Sequence, residues 1–118
     1  MKHAVKTRTL SRTRRGRTAL LRGLAISLIE HGQIKTTTAK AKELRPFVER
    51  LVTYAKKNNL SSKRLAMTAL GQPKNEVVGK LFNDIAPKFA DRSGGYTRII
   101  KAGRTSAGRD ESVIEFVA

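Results

Sequence analysis

No acidic residue occurs in this chain before Glu30. Over its 118 residues, 25 lysines and arginines stand against 9 aspartates and glutamates, a formal charge of +16 at neutral pH. Self-repulsion on that scale destabilises a compact state, so a fold built from this sequence calls for a polyanionic partner that neutralises it. Nucleic acid is the first such partner, and an anionic membrane surface the second. The charge is also concentrated. Ser11 to Arg22, SRTRRGRTALLR, holds five arginines in twelve residues and runs directly into an apolar stretch.

The length fits one domain, and at this size about two thirds of the unfolded chain's surface can be buried. The hydrophobic fraction of 39% is too high for a wholly disordered chain, while aromatics make up only 5%, so aliphatic side chains must fill the core. Cysteine is absent, which removes disulfides, thiolate metal sites and cysteine nucleophiles and fits a reducing cytosol. His3 and His31 are far apart in sequence with few acids near them, so no metal site is expected. The apolar run Ala19 to Ile29 is interrupted by Arg22, is too short to cross a bilayer, and leads into Glu30-His31-Gly32, which is no signal cleavage site.

Residues 1–17 hold seven lysines and arginines, no acid and no hydrophobic period. They read as a basic extended N-terminal arm that cannot fold alone, and their removal is expected to leave residues 18–118 as a single folded domain. From Thr18 the pattern turns helical, with Leu20, Leu24 and Leu28 joined by Leu21, Ala25 and Ile29, and Gly32 as the stop. Gln33 to Thr37 predicts a strand, and Thr37 or Thr38 caps a second helix. That helix shows the clearest stripe, Ala41, Leu44, Val48, Leu51, Val52 and Ala55, with a bend expected at Pro46. A third helix is expected from Ser61 or Ser62 through Leu65, Ala66 and Leu70. A fourth carries Val77, Val78, Leu81, Phe82 and Ile85 and stops near Pro87. After Gly94-Gly95 the period becomes two, predicting strands at Tyr96 to Ala102 and Ser112 to Val117 around a polar loop. The order helix, strand, three helices, two strands implies a two-layer α+β fold, a small mixed sheet covered by helices on one face.

Four segments offer phosphate contacts. In the arm, Lys2, Lys6, Arg8, Arg12, Arg14, Arg15 and Arg17, with His3 among them, suit RNA: arginine forks pair bidentately with phosphate, and an unfolded segment enters grooves that a globule cannot. Lys35 to Lys42, KTTTAKAK, places Lys35, Thr36, Thr37 and Lys40 at a helix start, where capping and anion binding can hold together. Around Arg92 to Arg98, Gly94 and Gly95 permit close backbone approach, Arg92 and Arg98 can reach phosphates, and Tyr96 either stacks on a base or packs as ordinary core. Gly103 to Asp110 has the spacing of a phosphate-binding loop. Arg109-Asp110 stands where Lys-Ser/Thr is required, however, so it reads as a hairpin loop whose Arg104 and Arg109 touch phosphate.

Catalysis has no constellation to rest on. Ser27 and His31 share a helix face but have no orienting acid and no oxyanion hole. Glu43 and Glu49 have basic neighbours and read as ion-pair partners, and Asp91, Asp110 and Glu111 are scattered. Neither an enzyme, nor a cofactor, nor a small-molecule substrate is expected. Of the rival classes, a DNA-binding nucleoid protein is permitted by charge but lacks a helix-turn-helix pattern.

The chain resembles the bacterial large-subunit ribosomal protein seventeen family. The resemblance is carried by Met1-Lys2-His3, by SLIEHGQIKTTTAKAKELRPFVERLVTYAKK at residues 27–57, and above all by LFNDIAPKFADRSGGYTRIIK at residues 81–101. The arm departs from the family pattern: it reads His3-Ala4-Val5-Lys6-Thr7-Arg8-Thr9-Leu10 and then Arg14-Arg15-Gly16-Arg17, keeping the charge while individual side chains change. The resemblance implies a structural component of the cytoplasmic ribosome, bound to 23S rRNA near the exit tunnel and touching neighbouring large-subunit proteins, numbers twenty-two and thirty-two. The rRNA-binding set expected on both grounds is Lys2, His3, Lys6, Arg8, Arg12, Arg14, Arg15, Arg17, Arg22, Lys35, Thr36, Thr37, Lys40, Arg92, Gly94, Gly95, Tyr96, Arg98, Lys101 and Arg104.

Overall fold

The structure is a computed structural model that describes residues 13–117. Helix α1, Arg14–His31, begins four residues earlier than its apolar period. The Thr13 side chain accepts from the backbone N–H of Gly16 at 3.2 Å, so a polar cap sets the start where hydrophobic spacing could not. The helix ends at Gly32, whose φ of 81° is the left-handed cap that glycine adopts without a Cβ penalty. Strand β1, Gln33–Thr37, follows as expected. Thr37 then caps helix α2, Thr38–Lys57, by accepting from Lys40 N–H at 3.4 Å. The helix runs on through Pro46. That residue is exposed, so the carbonyl left without a donor lies on the solvent side.

Helix α3, Leu60–Ala69, opens on Asn59 and not on a serine. Asn59 and Ser62 form a reciprocal capping box, Asn59 Oδ1 accepting from Ser62 N–H at 2.8 Å and Ser62 Oγ from Asn59 N–H at 3.1 Å. Helix α4, Asn75–Gly79, widens into a π-helical turn at Lys80–Ile85 and tightens into a 3-10 turn at Ala86–Phe89. Pro87 cannot donate to the Asn83 carbonyl, so α geometry cannot continue through it. Strands β2, Thr97–Arg104, and β3, Asp110–Phe116, form a hairpin with a bulge between Lys101 and Gly103.

The sheet order is β1-β3-β2, and both pairings are antiparallel, which corrects the expected mixed sheet. The reason is topological. β3 returns from the hairpin to lie between β1 and β2, so the two strands that run in the same direction never pair. Register places Ile34, Ile114 and Ile99 in one row across the sheet. Ile114 is fully buried and the other two pack against the core, so this row forms the covered face. The opposite face carries Lys35, Val113 and Ile100, with Ile100 exposed. Against the covered face lies the α2 stripe, Ala41, Leu44, Val48, Leu51, Val52 and Ala55, every member buried. Leu28 and Ile29 of α1, Ala66 of α3 and Leu81 and Phe89 complete the core. Leu65, expected in the α3 stripe, is instead 54% exposed, because α3 buries Ser62, Ala66 and Leu70 along its i, i+4 line.

Arg22, expected on RNA, is a structural clamp. Its Nε donates to Ala69 O at 3.0 Å, a carbonyl at the end of α3 with no helical donor, and a terminal nitrogen joins the Gly71 N–H on Thr68 O at 3.4 Å. Arg22→Met should keep the fold and lower stability by about 1–3 kcal/mol, read from the midpoint of urea unfolding monitored by circular dichroism. An unchanged midpoint would mean that the clamp contributes nothing.

Candidate nucleic-acid interface

Lys2, His3, Lys6, Arg8 and Arg12 lie outside the described residues. The remaining cations divide by whether the fold already engages them. Arg14, Arg15 and Arg17 sit in the opening turns of α1, and none of them forms a salt bridge with another described residue. The same holds for Lys40 and Lys42 at the start of α2, and for Lys101 and Arg109 in the hairpin. These cations have no ion-pair partner among the described residues.

Other expected contacts have partners inside the chain. Lys35 pairs with Glu111 at 3.6 Å and Arg98 with Glu115 at 3.4 Å, both across strands on the open face of the sheet. Arg104 pairs with Asp110 at 2.9 Å, and all of these pairs have an exposed cation, so each contributes little to stability and can be re-partnered. Thr37 is engaged as the α2 cap, and Thr36 is half-buried in register with Ser112. Tyr96 corrects the stacking expectation. It is 4% exposed, its ring lies 5.1 Å from that of Phe89 at 57°, and the Lys56 ammonium covers it at 5.1 Å from the centroid. No ring face is left for a base.

The loop that precedes Tyr96 is open. Gly94 and Gly95 have φ of 147° and 63°, and a Cβ built at either would meet no atom within 4 Å. Backbone conformation therefore demands glycine there, and crowding within the chain does not. Arg92 donates to Gly95 O at 3.1 Å across this loop, with the rest of its guanidinium exposed.

Between the start of α2 and the β2–β3 hairpin lies a groove of about 210 Å³, lined by Thr38, Lys42, Lys101, Gly103, Arg104, Asp110 and Glu111. Lys42 was missing from the expected set. Its signal was its place in KTTTAKAK, one turn along from Thr38 and on the same face. Glu49 forms the kind of local ion pair its basic neighbours suggest, with Arg45 at 3.7 Å. Its tie to Thr97 and that of Lys56 to Arg92, which hold the Arg92–Thr97 loop from α2, span more than thirty residues and left no local signal.

Charge placement on the helices is unusual in one respect. The first turns of α1, α2 and α3 contain no acidic residue. Those helix starts instead carry Arg14, Arg15 and Arg17, Lys40, and Lys63. The amino end of a helix is electropositive, so basic side chains there are repelled unless an anion joins them. Glu30 and Glu76 lie elsewhere, in a cleft between α1 and α4 that Lys74 and Lys80 also line, so the acids there are matched by cations. At 1.5 Å per residue, Glu30 lies about 24 Å along α1 from Arg14. Among the described residues no helix is long and apolar enough to cross a membrane, and no group of three or more His, Asp or Glu is placed to hold a metal ion.

Residues 20–117 match the family described as Ribosomal protein L17. The large ribosomal subunit protein bL17 of Sphingopyxis alaskensis is 52% identical over 118 residues, covering 99% of this chain and 84% of that protein. The bL17 of Thermodesulfovibrio yellowstonii is 49% identical over 118 residues, covering 99% and 87%. That of Hydrogenobaculum sp. is 49% identical over 119 residues, covering 99% of both chains. The chain therefore belongs to the ribosomal protein L17 family, structural components of the large ribosomal subunit and not enzymes.

Proposed function

We propose that the chain binds 23S rRNA through its basic arm and the free cations at its helix starts, on the exit-tunnel side of the large subunit, and thereby supports subunit assembly and translation. Contact with neighbouring large-subunit proteins, numbers twenty-two and thirty-two, belongs to the same reading and rests on the family resemblance. The observation that carries RNA binding is the set of three helix starts that hold lysine or arginine and no acid. Each arrangement is unfavourable in the free chain and becomes favourable when a phosphate sits between the helix end and the cation. α2, with 20 residues, spans about 30 Å and separates its own start from that of α3, so the cations are spread over the molecule and do not form one strip. Folded RNA that meets the protein on several sides fits this layout better than one straight duplex. The arm reaches further into the same RNA and orders there. Arg14–Arg17 of the expected arm belong to α1.

Two expected outcomes test this. If about eight phosphates are met, log affinity for a 23S rRNA transcript falls against log salt with a slope of roughly −6 to −7. Deleting residues 2–12 removes four lysines and arginines and should make that slope shallower by about 3 while a cooperative melt persists. A slope unmoved by the deletion would exclude the arm from the interface. In the second test, Arg15→Glu should raise the stability of the free protein by about 0.3–1 kcal/mol at low salt, since it repairs the helix dipole. The same change should weaken rRNA binding. Stability and affinity moving in the same direction would contradict the reading.

A further inference from the structure

Helix α2 holds the Arg92–Thr97 loop at both ends. Glu49 and Lys56 are seven residues apart, two turns, and so share a face of the helix. Glu49 Oε2 accepts from the Thr97 backbone N–H at 3.2 Å and from its hydroxyl at 2.9 Å, while Arg45 donates to the Thr97 carbonyl at 3.4 Å. Lys56 Nζ donates to the Arg92 carbonyl and to the Tyr96 hydroxyl at 3.0 Å, with its charge over the Tyr96 ring. Between these fixed points lie Ser93, Gly94 and Gly95. Among the described residues, the N–H groups of Ser93 and Gly94 donate to no acceptor. A Cβ added at either glycine would meet no atom within 4 Å among the described residues. A carboxylate from an acid-poor chain, a half-buried ammonium and a buried tyrosine hydroxyl thus converge to immobilise a loop whose Ser93 and Gly94 amides are left without an acceptor among the described residues.

We propose that Lys56 is a positioning residue for RNA binding. With Glu49 it holds the loop in the shape that presents the Arg92 guanidinium and the Ser93 and Gly94 amides together to one stretch of sugar–phosphate backbone. The inference rests on the RNA-binding reading above. Lys56 has no part in that contact itself, because its ammonium is engaged by the Arg92 carbonyl and the Tyr96 hydroxyl. Fixing the loop before binding removes an ordering cost that the complex would otherwise carry.

The test compares the full chain with Lys56→Met, Tyr96→Phe and Val52→Ala for binding to a 23S rRNA transcript across a salt series, well below each melting temperature. Val52→Ala controls for lost stability, because Val52 is fully buried in the core. Lys56→Met should bind roughly tenfold more weakly with its salt slope unchanged. Tyr96→Phe, which removes only the buried hydroxyl, should show a smaller loss of the same kind. Val52→Ala should bind as the unaltered chain does. Amide relaxation should report new mobility at Gly94 and Gly95 in Lys56→Met. Undiminished binding by Lys56→Met would overturn the inference, as would a slope shallower by about 0.7–0.9, the share of one lost phosphate contact. If the unaltered chain binds without salt dependence, the RNA reading itself fails, and the positioning role fails with it.

Discussion

The apolar stripe of α2 is the surface on which the other elements assemble. α2 touches α1, α3, the three strands and the π and 3-10 turns after α4. Its six buried side chains are aliphatic and small or medium in size, which suits a chain with few aromatics. Each element adds its own apolar line to that stripe: Leu28 and Ile29 from α1, Ala66 from α3, Ile114 from the central strand. α2 also supplies polar ties at the edges of its buried face, Glu49 and Lys56 to the loop after the last helical turn. One helix therefore fixes both the core and the shape of a surface loop.

A surplus of positive charge is the second constraint, and it decides how the scarce acids are used. Glu49 secures backbone, and Glu111, Glu115 and Asp110 pair with Lys35, Arg98 and Arg104 around the sheet. None lies in the first turn of α1, α2 or α3, where the helix dipole would favour an acid. A chain selected for stability alone would place them there. Leaving those positions to lysine and arginine lowers the stability of the free protein and leaves room for phosphate. On the proposed RNA-binding reading, stability is traded for complementarity to a polyanion, the relation that functional sites show elsewhere.

Local patterns made much of the fold legible. The α2 stripe, the Gly32 stop and the strand at Gln33–Thr37 follow from periodicity and cap chemistry within a few residues. What failed was whatever depended on distant partners. The expected mixed sheet became antiparallel because β3 inserts between strands separated by half of the chain. The start of α1 moved to Arg14 because Thr13 caps it, although no apolar period marks that turn. Charge and composition pointed to RNA, yet the fate of each cation was tertiary. Arg22 closes α3 and Lys35 meets Glu111, while Arg14 and Lys101 form no ion pair among the described residues. Tyr96 shows the same limit, since its sequence neighbours suit a stacking site and its actual neighbours are Phe89 and Lys56.

The most direct measurement exploits the absence of cysteine from the chain. A single cysteine placed at Thr18, and in a separate protein at Glu76, carries iron–EDTA into reconstituted large subunits, and cleavage of 23S rRNA is mapped from each. Both positions are exposed, Thr18 one turn from the α1 arginines and Glu76 in the cleft between α1 and α4, away from the acid-free helix starts. Strong, localised cleavage from position 18 and weak cleavage from position 76 is the predicted result. Equal cleavage from both, or stronger cleavage from position 76, would contradict the placement of RNA at the acid-free helix starts.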